Sequence, residues 1–178
     1  NFSTGFEENL QQALKSAKGI VVKDDLLNSE KVVRSMSGCD FVIHLAANAD
    51  VRSGTQQPHK DIEQNTIVTF NVLEGMRKNN IKKIVFSSTG SIYGEPEIFP
   101  TPETAPFPVQ TSLYGASKLA CEGLIEAYCE GFGFQSWIFR FVSILGERYS
   151  HGHVIDFYRA LLNNPDELHI LGDGHQKK

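Results

Sequence analysis

A tyrosine and a lysine four positions apart are the first residues in this sequence that could do chemistry. Tyr114 and Lys118 stand in the run Tyr-Gly-Ala-Ser-Lys. In a helix, residues at this spacing share a face, so the ammonium group lies near the phenol. A free tyrosine has a pKa of about 10, and a nearby cation favours the phenolate. The spacing predicts a tyrosine general base, with an exposed tyrosine and a solvated lysine as the alternative.

A cluster of hydroxyl side chains is the second candidate. Ser87, Ser88 and Thr89 open the run Ser-Ser-Thr-Gly-Ser-Ile-Tyr-Gly directly after an apolar segment. Ligands of open α/β sheets bind outside the carboxyl ends of the strands. The pattern therefore predicts hydroxyl groups that donate to a substrate oxygen. A turn or a helix cap is the alternative reading of such residues.

The elements that must position these groups alternate along the chain. An almost continuous apolar run at 41–45 is typical of a parallel strand covered on both faces. On the helix that begins at Pro58, one apolar side is predicted, formed by Ile62, Thr66, Thr69, Val72, Leu73 and Met76. Thr111 or Ser112 is predicted to cap the helix that carries Tyr114. The strands are predicted at 20–23, 41–45, 83–87, 135–141 and 167–171, and the helices at 29–37, from 58 to about 79, from 112 to about 130, and at 153–163.

This order predicts an α/β fold with a Rossmann-like, doubly wound parallel sheet. A dinucleotide-binding sheet normally opens with a strand, a glycine-rich turn and a helix. The sequence contains no such glycine pattern. We therefore expect an incomplete sheet, without the first strand, the glycine-rich turn and the second strand, in a fragment of a larger protein that is inactive by itself. Residues 1–142 are predicted to form the dinucleotide-binding part and 143–178 the start of a substrate-binding part.

Several stretches together resemble the extended short-chain dehydrogenase/reductase family of NAD-dependent epimerases and dehydratases. Within it they are most similar to the UDP-glucose 4-epimerases and their close relatives. The resemblance spans essentially the whole chain and implies a bound NAD and a nucleotide-diphosphate sugar. The matching stretches are 1–5, 23–26, 44–47, Asn65, 87–94, 114–118, 140–146 and 172–174.

The resemblance also implies roles for individual residues. Asn1, Phe2, Ser3, Thr4 and Gly5 would lie by the adenosine ribose. The other cofactor contacts would be Asp25, Leu26, Leu45, Ala46, Ala47, Asn65, Ser87, Tyr114, Lys118 and Val142. The substrate contacts would be Ser88, Thr89, Tyr114, Ser143 and Lys178. For Leu45 to Ala47, simple packing at a strand end is the alternative.

The family mechanism assigns the catalytic roles to Thr89, Tyr114 and Lys118. Tyr114 would take the proton of the sugar 4-hydroxyl, and Thr89 would hydrogen-bond to the same oxygen. Hydride would leave C4 for the nicotinamide and return on the other face of a 4-keto sugar. Relatives that dehydrate or decarboxylate place acids where Gly90 and Ser91 stand here. This difference favours C4 epimerisation of a UDP-hexose.

Two other functions stay open at this point. One is a dehydratase or reductase of a nucleotide sugar from the same family. The other is a non-catalytic nucleotide-binding module. The family often has Asn where Ser143 stands and Arg where Lys178 stands, which leaves the preferred sugar and nucleotide open.

Charge and composition argue against nucleic acid and membrane as binding partners. The net charge of −4 and the absence of a basic stripe argue against nucleic acid. The apolar stretches are too short to span a bilayer. Three cysteines without a paired spacing are typical of a reduced, cytoplasmic protein.

Four histidines and one face of the tyrosine-bearing helix bear on metal binding and on assembly. His151 and His153 with His169 or His175 are a possible metal site, but loop histidines are the favoured reading and we predict no metal. Relatives commonly form homodimers through the helix carrying the tyrosine. Ala120, Leu124 and Ala127 could supply part of such a face, or could be buried core.

Overall fold

The computed structural model describes residues 1–51, 54–107, 109–149 and 152–170. Within these ranges the chain alternates helices with three strands. The helices are α1 (Glu8–Ser16), α2 (Ser29–Ser35), α3 (Pro58–Asp61), a π-helical segment (Ile62–Ile67), α4 (Val68–Lys78), a 3-10 turn (Gly90–Tyr93), α5 (Leu113–Phe132) and α6 (His153–Asn163), and the strands are β1 (Phe41–His44), β2 (Lys83–Thr89) and β3 (Gln135–Phe141).

The three described strands form one sheet in the order β1-β2-β3. β1 and β2 run parallel, with Phe41 opposite Lys83 and His44 opposite Phe86. Because both strands end at the same edge, the residues that follow His44 and those that close β2 meet there. The predicted α/β fold with a parallel sheet is confirmed in this part of the chain.

Two of the predicted strands are wrong. Residues 20–23 form no strand, and the side chain of Ile20 is 93% exposed. Residues 167–170 are likewise irregular, and Leu171 lies outside the described residues. A strand is stabilised by a neighbour that pairs with its backbone groups. Apolar residues alone do not form a strand when no described strand runs beside them.

The core lies where α4 and α5 pack against β2. Leu73 and Met76 from α4, Phe86 from β2 and Ile125 from α5 are fully buried. Burial of apolar side chains of this size stabilises a fold by roughly 1.5–3 kcal/mol each. The site residues at the end of β2 and the start of α5 are therefore attached to the best-packed part of the chain.

The helix that begins at Pro58 is interrupted by the π-helical segment Ile62–Ile67. The predicted single apolar side is wrong at its start, because the side chain of Ile62 is 54% exposed whereas Asp61 and Asn65 are buried. A π turn contains an extra residue and shifts the phase of the helix. From Thr69 onward the predicted face is buried, as the 3.6-residue period requires.

Helix α5 begins and ends at the residues that its sequence predicts. The Ser112 side chain accepts a hydrogen bond of 3.0 Å from the Gly115 backbone nitrogen, which is the expected N-cap geometry. The helix closes at Gly133, whose φ of +65° lies in the left-handed region that glycine adopts most easily. Tyr114 is therefore the second residue of a well-defined helix.

The chain divides into two compact units, one formed by Asn1–Arg140 and one that begins at Phe141. The first contains the sheet core, α5 and the side chains of Asp61, Thr89, Tyr114 and Lys118. The second contains α6. The functional division predicted after residue 142 stays a prediction.

Candidate active site

Thr89 and Tyr114 are brought together although they are far apart in the sequence. Thr89 is the last residue of β2 and is 8% exposed. Its hydroxyl accepts from the Ser91 backbone nitrogen at 3.1 Å and donates to the Ser91 hydroxyl at 3.2 Å. The Thr89 hydroxyl lies close enough to Tyr114 to lower the pKa of the phenol. The strand end and the helix start therefore present two hydroxyl groups at one point.

The Tyr114 hydroxyl has a raised pKa in this structure. Burial is the main cause, and the Asp61 carboxylate and the Cys121 thiol add to it, while the hydrogen bond with Thr89 lowers the pKa. Burial disfavours the charged phenolate. The polypeptide alone thus does not produce the lowered tyrosine pKa that the spacing of Tyr114 and Lys118 predicts.

Lys118 lies one helical turn beyond Tyr114 and is only 2% exposed. Its Nζ is 4.1 Å from the centroid of the Phe86 ring. Burial lowers the pKa of Lys118 to about 8, and the charges of Cys121 and Glu122 oppose that change. The amine is therefore held in the interior, in a setting where its proton is easily lost.

A buried histidine lies on the sheet side of this lysine. His44 closes β1 and is 3% exposed, with its Nε2 3.0 Å from the Thr69 hydroxyl. Burial and then the positive charge of Lys118 lower the pKa of His44 to about 4. At neutral pH the imidazole is uncharged, and it adds no positive charge to the site.

A chain of buried hydrogen bonds supports the backbone of Tyr114. The Ser117 hydroxyl donates to the Tyr114 carbonyl at 2.8 Å and accepts from the Asn65 amide at 2.8 Å. The Asn65 oxygen accepts from the Asn48 backbone nitrogen at 2.7 Å. Asn65 is 1% exposed, and its contact with a dinucleotide stays a prediction. Sequence reasoning missed Asn48 and Ser117, which carry no spacing signal of their own.

Asp61 completes this polar layer. It is fully buried, and one of its oxygens accepts from the Asn48 side-chain amide at 2.7 Å. Its carboxylate is the group that raises the pKa of Tyr114 after burial. The sequence gives no hint of this role, because the π turn brings Asp61 to the inner face.

Ser88 turns its hydroxyl into the protein. The side chain is 3% exposed and donates to a carboxylate oxygen of Glu122. Ser87 beside it is half-buried. The predicted contacts of Ser88 with substrate and of Ser87 with cofactor stay predictions, and Ser88 already has a partner inside the fold.

The first residues of the chain lie against the loop that contains Asp25. The Asn1 side-chain amide donates to one Asp25 oxygen at 2.6 Å, and the Leu27 backbone nitrogen donates to the other at 2.9 Å. The Ser3 backbone nitrogen donates to the Asn1 side chain at 3.1 Å, and Thr4 and Gly5 are exposed. The structure thus brings together two stretches to which the resemblance assigns the adenosine. Phe2, Asp25 and Leu26 are half-buried.

The residues after β1 leave an apolar surface at the carboxyl edge of the sheet. Leu45 is 65% exposed, Ala46 is exposed and Ala47 is half-buried. Packing at the strand end does not cover Leu45 among the described residues. An open apolar surface at the carboxyl edge of a parallel sheet fits a ligand that has a flat ring.

The remaining predicted residues lie elsewhere. Val142 and Ser143 are exposed residues of the second unit, and Lys178 lies outside the described residues. On α5, Ala120 and Ala127 are exposed, whereas Leu124 is half-buried against the core. These positions leave the roles predicted for them as predictions.

The described part of the chain offers neither a cluster of metal ligands nor a membrane-spanning helix. It contains no group of three His, Cys, Asp or Glu side chains that could hold a metal ion. Two of the four histidines considered as possible metal ligands, His151 and His175, lie outside that part. No helix in the described ranges is long and apolar enough to cross a membrane.

Comparison with known proteins gives the family. The NAD dependent epimerase/dehydratase family matches residues 2–178. The chain belongs to this family. Its description agrees with the resemblance carried by the tyrosine–lysine pair and the hydroxyl cluster, and it names NAD as the cofactor.

Individual relatives agree with the family and with the incomplete Rossmann-like sheet. The UDP-glucose 4-epimerase of Halalkalibacterium halodurans is 34% identical over 89% of this chain and 49% of its own length. The Thermotoga maritima UDP-glucose 4-epimerase, solved with UDP-glucose, has a TM-score of 0.83 and 31% identity over 97% of this chain and 56% of its own. The Thermus thermophilus enzyme, solved with NAD, has a TM-score of 0.79 and 34% identity over 91% and 53%. The chain spans about half the length of these relatives.

Proposed function

We propose that the protein catalyses NAD-dependent C4 epimerisation of a UDP-hexose through a 4-keto intermediate, with Tyr114 as the base. The observation that carries this proposal is the packing of the start of α5 against the turn after Thr89, which brings Tyr114 and Thr89 together at the carboxyl end of β2. Lys118 lies one turn further along α5, as the family chemistry requires. Two hydroxyl groups that meet at one point can both bind a single sugar oxygen.

The described residues fit the cofactor that the family uses. Leu45 to Ala47 offer the exposed apolar surface, and Asn1 with Asp25 offers polar groups for a ribose. Bound NAD supplies the acceptor and donor of hydride. The part played by this chain is to bind the two ligands, to orient them and to hold the proton on Tyr114.

Tyr114 is protonated at neutral pH in the structure described here, because burial raises its pKa. Positive charge nearby favours the phenolate. The ammonium of Lys118 is the cation that the polypeptide contributes, and the oxidised nicotinamide is expected to add the rest. We infer that the base forms only in the loaded site, which limits proton loss from other substrates.

Epimerisation is favoured over dehydration by the groups beside Thr89. Gly90 has no side chain, and Ser91 carries a hydroxyl that accepts from Thr89. Neither side chain is an acid that can transfer the protons of an elimination. Relatives of this chain that are named UDP-glucose 4-epimerases support the same reaction.

A UDP-sugar is proposed as the substrate because related structures bind one, such as the Thermotoga maritima enzyme with UDP-glucose. Ser143 and Lys178 are proposed to contact the diphosphate. A homodimer through α5 and a cytoplasmic location complete the proposal. Free thiols at Cys39, Cys121 and Cys129 agree with a reducing compartment.

The test is to incubate the full-length protein with UDP-galactose without added cofactor. The proposal requires UDP-glucose as the product, since the cofactor is regenerated in each cycle. A stable keto sugar would instead identify a dehydratase. Absence of turnover with nucleotide still bound would identify a non-catalytic module.

A further inference from the structure

A buried ion pair lies behind the catalytic groups and has no role in the proposed chemistry. The Arg140 guanidinium donates to one Glu122 oxygen from Nη2 at 2.9 Å and from Nε at 3.2 Å. Nε also lies 3.3 Å from the other oxygen. Glu122 is 2% exposed. The pair joins helix α5 to strand β3.

The Glu122 end of this pair reaches the catalytic strand end. The Ser88 hydroxyl donates to Glu122, and Ser88 directly precedes Thr89. Glu122 also follows Lys118 by one helical turn, and its charge favours the ammonium form. A shift of the carboxylate would therefore move the strand end that presents Thr89 and would change the field at Lys118.

The Arg140 end reaches the segment that connects the hydroxyl cluster to α5. Nη1 donates to the Tyr93 hydroxyl at 2.6 Å and to the Glu103 carbonyl at 2.8 Å. The guanidinium lies 5.3 Å and 5.0 Å from the ring centroids of Tyr93 and Phe107. One side chain thus fixes both the 3-10 turn and the connecting segment.

We propose that Glu122 and Arg140 are positioning residues, which hold Thr89 through Ser88, the 3-10 turn through Tyr93, and the segment 94–107 through Glu103. This inference rests on the proposed function. Buried ion pairs often add less stability than apolar residues of similar volume. The planar guanidinium, in contrast, fixes several partners in one geometry. Displacement of a reacting group by about 1 Å can slow a reaction roughly 100-fold.

The first experiment compares Glu122→Gln and Arg140→Lys in the full-length protein. Each is expected to lower kcat for UDP-galactose about 10- to 100-fold with KM changed less than about 3-fold. Glu74→Gln is the matched control. Like Glu122, Glu74 accepts hydrogen bonds from an arginine, Arg77, and from a hydroxyl group, that of Tyr128, but it lies away from the site. A folded Glu122→Gln protein with normal kcat overturns the proposal.

The second readout does not depend on activity. Hydrogen exchange in the full-length protein should accelerate at 87–107 in both variants and stay normal there in Glu74→Gln. Acceleration spread evenly over the protein would mean that the pair only stabilises the fold, and would overturn the proposal. If wild-type protein does not epimerise UDP-galactose, the proposed function fails, and the exchange result still decides whether the pair positions this segment.

Ser88→Ala is a second variant, to be used if the ion-pair variants do not fold. It removes only the hydroxyl that donates to Glu122. It is expected to lower kcat about 5-fold or more with KM unchanged, as expected when a reacting group is displaced. In a double-mutant cycle with a folded Glu122 variant, the two effects should be non-additive. A normal kcat in Ser88→Ala, a change in KM alone or additive effects would overturn the link.

Discussion

Gly115 lies so close to Ser91 that a Cβ on this glycine would stand 3.0 Å from the Ser91 carbonyl oxygen. The same Cβ would be 3.1 Å from the Gln110 side-chain oxygen and from the Ser112 hydroxyl. The start of α5 is therefore pressed against the turn that follows Thr89. This close approach explains why glycine follows Tyr114.

Gly115→Ala is expected to impair catalysis more than stability. Alanine favours a helix by about 1 kcal/mol over glycine, but here its Cβ must push the helix start from the turn. Tyr114 would then move relative to Thr89, and kcat should fall about 10-fold or more. Steady-state kinetics with UDP-galactose and thermal unfolding measure the two effects.

Gly123→Ala is the control on the same helix, because a Cβ there meets no atom within 4 Å. It should raise the free energy of unfolding by about 0.5–1 kcal/mol and leave kcat unchanged. Equal loss of activity in both variants would contradict the packing argument.

Acid should destabilise the protein through His44. Its pKa is about 4 in the folded protein and 6.5 as a free side chain. Between these values the unfolded chain binds more protons, so stability is present above pH 6.5 and is lost as pH falls towards 4. The loss is expected to approach about 3 kcal/mol, measured by urea unfolding of the full-length protein at successive pH values.

His44→Gln is the matched variant, because its amide can still reach Thr69 but does not titrate. Its stability should be much flatter between pH 6.5 and 4. The hydrogen bond with Arg77 lowers the pKa of Glu74 from 4.5 to about 2. The stability that this carboxylate contributes is therefore lost only as the pH falls below 4.5. A wild-type slope retained in His44→Gln would show that another group causes the acid sensitivity.

Lys118→Met is expected to stabilise the fold while it abolishes turnover. Burial lowers the pKa of Lys118 from 10.5 to about 8, so charging this amine costs free energy at pH 7. Wild-type stability should rise with pH between about 8 and 10.5, because the unfolded chain binds more protons in that window. In Lys118→Met this rise should vanish, and unfolding at pH 7 should require about 3 kcal/mol more. Loss of stability in this variant would instead mean that contact of the ammonium with Phe86 outweighs its burial.

The sequence predicts well the strand that ends at Thr89 and the helix that carries Tyr114 and Lys118, because their signals are local. The Ser112 cap, the Gly133 stop and the apolar run of β2 each act within a few residues. The spacing of Tyr114 and Lys118 then follows from the helix period. The residues 20–23 show the opposite case, since a strand depends on a neighbour that no local pattern supplies.

The supporting groups of the site could not be predicted from spacing. Asp61 and Asn65 are polar residues on a buried helix face, and the sequence does not show which groups they bind there. From the sequence alone, Glu122 and Arg140 look like ordinary surface charges. In the structure they form an ion pair in which Glu122 is buried. Such pairings join distant segments, and only the tertiary structure defines them.

The role of Tyr114 is tested most directly by measuring the conversion of UDP-galactose to UDP-glucose. The measurement compares full-length wild-type, Tyr114→Phe and Tyr128→Phe proteins. Tyr128 lies on the same helix and donates to Glu74, so it controls for the loss of a tyrosine hydroxyl. A positioned acid–base group contributes about 10²- to 10⁴-fold. We expect kcat to fall by that factor in Tyr114→Phe and to stay near normal in Tyr128→Phe. Turnover retained in a folded Tyr114→Phe protein would contradict the assignment of Tyr114 as the base.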